Sequence, residues 1–250
     1  MSDLVLVTDD GPVRTVRMNR PEKKNALTVP MYAALVDALD GAGASSTLRV
    51  VVIAGAPGAF CAGNDLQDFL TATRSAEGLA PPLIGFLHAL ARAEKPLVAA
   101  VCGLAVGIGT TMLLHCDHVV AASDARFSTP FVHLGLVPEA ASSLLGPRRL
   151  GHARAFSLLA MGRPLDAAGA LAAGLVNTVV APDGVEAEAM QAAREIAALP
   201  AQALAATRRL LRGSPEGAIR RIDEEAAEFK RRLASPEARA AFEAFLARKR

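Results

Sequence analysis

From Pro96 to Cys116 the chain carries no Asp, Glu, Lys or Arg. A run of about 20 such residues is long enough to cross a membrane as a helix. Here it is cut in the middle by Gly103, Gly107 and Gly109 and by Thr110 and Thr111. Each half then fits an element of a folded core better than a membrane span. Leu97–Cys102 reads as a short buried strand, and Thr110–Cys116 as a buried helix. A second strand, His118–Ala122, follows, then a loop that ends at Pro138-Glu139.

Strand, glycine turn, helix is an arrangement with chemical consequences. The first N–H groups of a helix have no intrahelical acceptor. They face forward, with the positive end of the helix dipole behind them. Such a turn suits an anion, or an oxygen that gains negative charge during a reaction. Glu139 is the first carboxylate after Asp124 and follows a mostly apolar run. Oxyanion donors and one isolated carboxylate suffice to move a proton beside a carbonyl.

The rest of the chain provides a large core. Hydrophobic residues make up 52% of 250 positions. The net charge of +2 and the lack of an aromatic-plus-basic patch argue against a nucleic-acid partner. Cys61, Cys102 and Cys116 lie in apolar surroundings and form no CxxC, which predicts reduced thiols in a cytoplasmic setting. The opening MSDLVLVTDD lacks the apolar core of a signal peptide. The closing ARKR is not a peroxisomal SKL-type address.

In chain order, Leu4–Val7 and Val13–Met18 flank Asp9-Asp10-Gly11-Pro12 and predict a hairpin. A polar loop spans 19–26. A helix capped by Thr28 runs to Asp40 and stops at Gly41. Arg49–Ala54 reads as a strand buried on both faces. Gly55 through Leu66 repeats the strand–turn–helix pattern, with Asp65 at the positive end of a helix reaching about Arg74. A surface loop spans 75–82, and Leu83–Ala93 is helical by spacing. Helices over Ala140–Leu145 and His152–Met161 follow, then a helix capped by Asp166, then a last strand, Leu175–Val180. From Gly184 onward only helices are indicated, broken at Pro200 and at Gly213-Ser214-Pro215. The expectation is an α/β core with a C-terminal helical module.

Several pieces in order resemble the crotonase (enoyl-CoA hydratase/isomerase) superfamily over nearly the whole chain. They are Asn19-Arg20-Pro21 through Asn25-Ala26-Leu27, Phe60 through Leu66, the Gly103–Gly109 turn, and Gly162-Arg163 through Asn177. Thr129 to Gly135 and Pro138 to Ser143 look like the peroxisomal-type Δ3,Δ2-enoyl-CoA isomerases in particular. The resemblance implies a spiral of ββα units in residues 1–195 and a helical oligomerisation region in residues 196–250. It implies acyl-CoA thioester substrates, a trimer or dimer of trimers, and no cofactor beyond the CoA of the substrate. Neither nucleic acid nor a membrane is implied as a partner. Carried over by position, the amides of Asn64 and Ile108 hold the thioester oxygen and Glu139 is the base. Lys23, Asn25, Ala26, Ala62, Gly63, Asp65, Leu66, Gly107, Phe131 and Lys230 fall at substrate- or CoA-binding positions. Hydratases of this superfamily use two glutamates, and the matching positions here are Thr111 and Phe131. Neither side chain can usefully transfer a proton, which favours double-bond isomerisation over hydration.

Burial should raise the Glu139 pKa and strengthen it as a base while it remains ionised near neutral pH. Plainer roles stand beside these. Glu139 can merely complement a helix starting at Ala140, and the three glycines can serve close packing alone. Asn64 can be a cap. His133 reads as a packed neutral side chain, and Cys61 as a core residue. Most basic residues, Lys230 and Lys249 among them, read as a solvated helix face. Hydration by another route, or acyl-CoA binding without turnover, are the alternatives to isomerisation.

Overall fold

The computed structural model describes residues 3–65 and 79–247, with side-chain surroundings through residue 244. Its frame is a sheet of six strands in the order β1-β2-β3-β4-β6-β9. These are β1 (Val5–Asp10), β2 (Val13–Met18), β3 (Val50–Gly55), β4 (Leu97–Val101), β6 (His118–Ala122) and β9 (Thr178–Val180). β1 and β2 form the antiparallel hairpin, turning at Gly11-Pro12 with Gly11 at φ 55°. Every later pairing in this sheet is parallel, with Val16 opposite Ile53, Ile53 opposite Ala99, and Ala99 opposite Val119. Parallel strands covered on both faces need apolar residues at every position rather than alternate ones. The sequences VVVIAG and LVAAV meet that need, and β4 is buried throughout. Helices Val29–Ala44 and Pro81–Arg92 pack together, with the Tyr32 and Phe86 rings 5.6 Å apart. Helix Val185–Ala198 packs against β3, β4 and β6. The expected division at residue 195 falls inside this helix.

A second, three-stranded sheet holds β5 (Leu104–Val106), β7 (Arg126–Ser128) and β8 (Leu165–Asp166). All three of these strands lie where turns or loops were expected, β7 in the stretch between Ala122 and Pro138. β5 occupies part of the glycine turn, and β8 part of the loop before helix Ala167–Ala172. The helix after Gly107 therefore starts at Ile108, runs to Thr111, and tightens into a 3-10 turn over Met112–His115. Asp166 caps as expected, its side chain accepting from Gly169 N at 2.7 Å.

Other boundaries move for identifiable reasons. The first helix passes Gly41 to Ala44, because Ala38, Leu39 and Ala42 stay on its buried face. The helix expected from Ala140 begins at Ser142 and continues through Pro147 to Leu150. The His152–Met161 helix becomes an α-turn to Ala155 and a π-turn over Phe156–Ala160. The last strand is reduced to Thr178–Val180, since Asn177 spends its side chain accepting from Val119 N at 2.8 Å. Pro81 opens a helix instead of closing a loop. Residues 66–78, which include the rest of that loop and the helix expected to reach Arg74, lie outside the described residues, as do Lys249 and Arg250.

The C-terminal region consists of helices Ala201–Arg212, Glu216–Leu233 and Pro236–Ala247. Arg208 anchors the first of these to the sheet. Its guanidinium binds the Asp117 carboxylate at 2.9 Å and the Ala93 carbonyl at 2.6 Å, while Asp117 accepts from Leu97 N. Phe229, Leu233, Ala238 and Phe242 form a smaller core with Phe131 and Leu136.

Candidate active site

Two chain turns meet over one cavity. Cys61 pairs with Ala105 as an isolated parallel bridge, with Cys61 N to Leu104 O at 3.0 Å and Val106 N to Cys61 O at 2.9 Å. Three residues on, Asn64 bridges Leu27: Leu27 N donates to Gly63 O and Asp65 N to Leu27 O. That pairing uses the amides on either side of Asn64 and turns the Asn64 N–H the other way. Ile108 is the first residue of its helix, so its N–H has no intrahelical acceptor. Among the described residues, neither amide donates to a backbone carbonyl.

The glycines let the turns approach. A Cβ on Gly63, at φ 92°, would lie 3.1 Å from Val106 O. One on Gly109 would lie 2.6 Å from Cys61 O, too close for any side chain. One on Gly107 would lie 4.0 Å from Gly63 Cα. Gly107 itself holds φ 56° and ψ −120°, a conformation nearly closed to other residues. The glycines thus serve close packing, as the plainer expectation had it, and that packing sets Asn64 and Ile108 side by side.

Glu139 is 2% exposed, and neither carboxylate oxygen has a hydrogen-bond partner among the described residues. An isolated buried carboxylate resists ionisation. Burial first, and then the charge of Glu225, push its pKa up to about 8, while the Asn64 side chain pulls the other way. The rise is as expected, but the expectation that the group stays ionised near neutral pH is not met: at about 8 the carboxyl mostly holds its proton there, and only its ionised fraction can act as base. Tyr32 Oη donates to Asn64 Oδ1, which fixes how the Asn64 amide faces the carboxylate. The two residues after Glu139 are unusual: Ala140 and Ala141 stand at φ 63° and 53°. Each left-handed alanine costs about 1–2 kcal/mol. The turn is held by His115 Nε2 donating to Ala140 O at 2.7 Å and by Ser142 N donating to Glu139 O at 3.1 Å. Because the helix starts only at Ser142, Glu139 does not complement its first turn.

The cavity encloses about 690 Å³. Glu22, Lys23 and Lys24 line one end; Ala26, Ala62, Gly63, Asn64, Asp65 and Gly107 line the middle; Phe131, Leu134, Leu136, Phe229 and Phe242 give it an apolar wall. Most of the expected binding positions are thus brought together. Asn25 is not on the wall: its buried amide donates to Ala59 O at 2.7 Å and accepts from Arg20 N at 2.8 Å. Asp65 lines the cavity but pairs with Arg20 at 2.6 Å. Lys230 is exposed and absent from the wall. Leu66 lies outside the described residues. Of the three expected catalytic residues only Asn64 lines the cavity; Glu139 and Ile108 are buried off its wall, with the Asn64 side chain next to the Glu139 carboxylate. His133 lines the cavity with its Nε2 against Met161 O, and the Cys61 thiol, fully buried, is pushed up to about 12 and is no nucleophile.

Sequence reasoning missed Tyr32, Phe229, Phe242 and Glu225. The two phenylalanines are rare aromatics in an Ala-, Glu- and Arg-rich region, which is a usable signal. Glu225 sits in RRIDEEAAEFKRR, where nothing separates it from a solvated face.

A six-stranded sheet beside a three-stranded one, with two glycine turns meeting above a cavity, defines the crotonase fold. The chain belongs to the enoyl-CoA hydratase/isomerase family, whose model matches residues 9–250. It is 37% identical to enoyl-CoA delta isomerase 2 of Rattus norvegicus over 88% of this chain, and spans only 57% of that protein's length. It is 36% identical to a probable enoyl-CoA hydratase of Rhizobium meliloti, covering 81% of this chain and 79% of that one. The crystal structure of an enoyl-CoA hydratase/isomerase from Pseudoalteromonas atlantica superposes with a TM-score of 0.93 at 42% identity, covering 98% of both chains. No helix among the described residues is long and apolar enough to cross a membrane.

Proposed function

We propose that the protein moves the double bond of an enoyl-CoA thioester from position 3 to position 2, with Glu139 carrying the proton. Removing a proton from C2 leaves an enolate whose negative charge gathers on the thioester oxygen. The Asn64 and Ile108 amides take that oxygen, and their hydrogen bonds strengthen as the charge develops. Losing one such donor typically costs about 3–4 kcal/mol. Glu139 accepts the C2 proton and returns it to C4, so the electron pair shifts along the chain with no net gain or loss of atoms. The CoA nucleotide lies toward Lys23 and Lys24, and the acyl chain runs past Gly63 and Gly107 toward Glu139.

The observation that carries this reading is a buried carboxylate with no charged partner among the described residues, beside a pair of converging glycine turns; by the family resemblance, Thr111 and Phe131 stand where hydratases have their acids. Water addition would need a second group to activate the nucleophile. Hydration remains the second reading, favoured by the name of the Rhizobium meliloti relative. Assay of 2-enoyl and 3-enoyl thioesters side by side separates them. We expect double-bond transfer from the 3-enoyl ester and little water addition to the 2-enoyl ester. Fast hydration without a double-bond shift would overturn the proposal. Exposed Leu210 and Leu211, at 84% and 83%, support association with other copies, the trimer or dimer of trimers itself resting on the family resemblance, and three free cysteines support a cytoplasmic setting.

A further inference from the structure

The turn that carries Glu139 is gripped at its far end by a second acid. Helix Glu216–Leu233 packs against the start of helix Ser142–Leu150. From it Glu225, 7% exposed, reaches the first turn of that helix. Its Oε1 accepts from Ser143 N at 2.9 Å and from Ser143 Oγ, and Arg221 Nη1 donates to Ser143 Oγ at 3.1 Å. This is a helix cap supplied from another element, and it follows directly on the two left-handed alanines. Glu225 Oε2, Ser142 Oγ and both oxygens of Glu139 are buried without a partner among the described residues. The Asn64 side chain favours the ionised form of Glu139, and the Ser143 and Ala141 amides that of Glu225, but two buried carboxylates around one short turn cannot both carry full charge at low cost.

Resting on the reading of Glu139 as the base, we propose that Glu225 is its positioning residue: it clamps the Glu139 turn through Ser143 and sets a second carboxylate beside it. The other groups facing the pair leave this role to Glu225. His115, packed beneath the turn, is held neutral by burial, with Arg212 and Arg149 nearby opposing its charge. The Cys61 thiol stays protonated, and Asn64 is uncharged. Burial raises the Glu225 pKa to about 7, against the Ser143 and Ala141 hydrogen bonds and then Arg221, which favour its ionised form. The pair therefore titrates as a unit, and its two steps belong to both residues.

The test is a carboxyl ¹³C NMR titration of glutamate-labelled protein, with the pH dependence of kcat/KM measured alongside. In E225Q the Glu139 signal should titrate about one pH unit lower than in the unaltered protein. The acid limb of the rate profile should move with it, while KM for the thioester changes little. In E139Q the Glu225 signal should stay near its place, because Glu225 titrates while Glu139 still holds its proton. If E225Q does not fold, kcat of the alanine and aspartate variants decides the matter. Glu225→Ala, which also removes the clamp, should lower kcat, and Glu225→Asp should recover part of the loss. A Glu139 signal that titrates unchanged in E225Q, a rate limb that stays in place, or equal kcat in the alanine and aspartate variants would overturn the proposal. Full turnover in E139Q would instead remove Glu139 as base, whatever the titrations show.

Discussion

A methyl group on residue 109 would meet the Cys61 carbonyl oxygen at 2.6 Å, and main chain cannot step aside as a flexible side chain can. Gly109→Ala should therefore cost at least about 1–3 kcal/mol, read from urea unfolding. Gly217 is the internal comparison: it lies in helix Glu216–Leu233 with nothing within 4 Å of a built Cβ. Gly217→Ala should stabilise by about 0.5–1 kcal/mol. Equal effects at the two positions would contradict the packing account. At this scale the sequence was partly readable. Glu139 stood out because no carboxylate precedes it for 15 positions back to Asp124. Glu225 did not, because its burial comes from a helix crossing that no local pattern encodes. The glycines were legible as turn residues, but which backbone each one touches is a tertiary fact.

Among elements, the loop over residues 19–26 changes most between sequence and structure. Read as a polar connection, it is a pinned 3-10 turn over Pro21–Lys23, with Lys24 and Asn25 at φ 51° and 55°. Asn25 is the pin, bonding the carbonyl of Ala59 and the amide of Arg20, and Arg20 in turn holds Asp65. This one side chain sets the Lys23-Lys24 end of the cavity against the Asn64 turn. Asn25→Ala leaves buried main-chain groups unpaired and should cost about 2–3 kcal/mol. It should also raise KM for CoA esters more than it lowers kcat. Unchanged stability together with unchanged KM would deny it that role. Long strands and helices were legible because nearly every position of β3, β4 and β6 repeats the same apolar message, His118 at the start of β6 apart. β5, β7 and β8 were not, since strands of two or three residues exist only through their partners.

For the molecule as a whole, the buried acids make stability depend on pH in an unusual direction. Glu139 and Glu225 hold protons in the folded state, up to about 8 and about 7, that the unfolded chain gives up near 4.5. Their contribution is complete below the unfolded value and is lost as pH rises through the folded values. His115 and His118, depressed by burial, act oppositely but only below about 6.5. Between pH 6.5 and 8 the glutamates remain alone, so the melting temperature should fall across that interval, and E225Q should flatten the decline. A melting temperature that climbs there would show that the acids are ionised in the fold. The C-terminal helices belong to the site as much as to any assembly, because Phe229 and Phe242 close the cavity's apolar side. The central claim is that one buried carboxylate moves the proton, and the turnover of Glu139→Gln with a 3-enoyl-CoA thioester tests it most directly. The account predicts a fall of about 10²–10⁴-fold with thioester binding retained; turnover equal to that of the unaltered protein would contradict it.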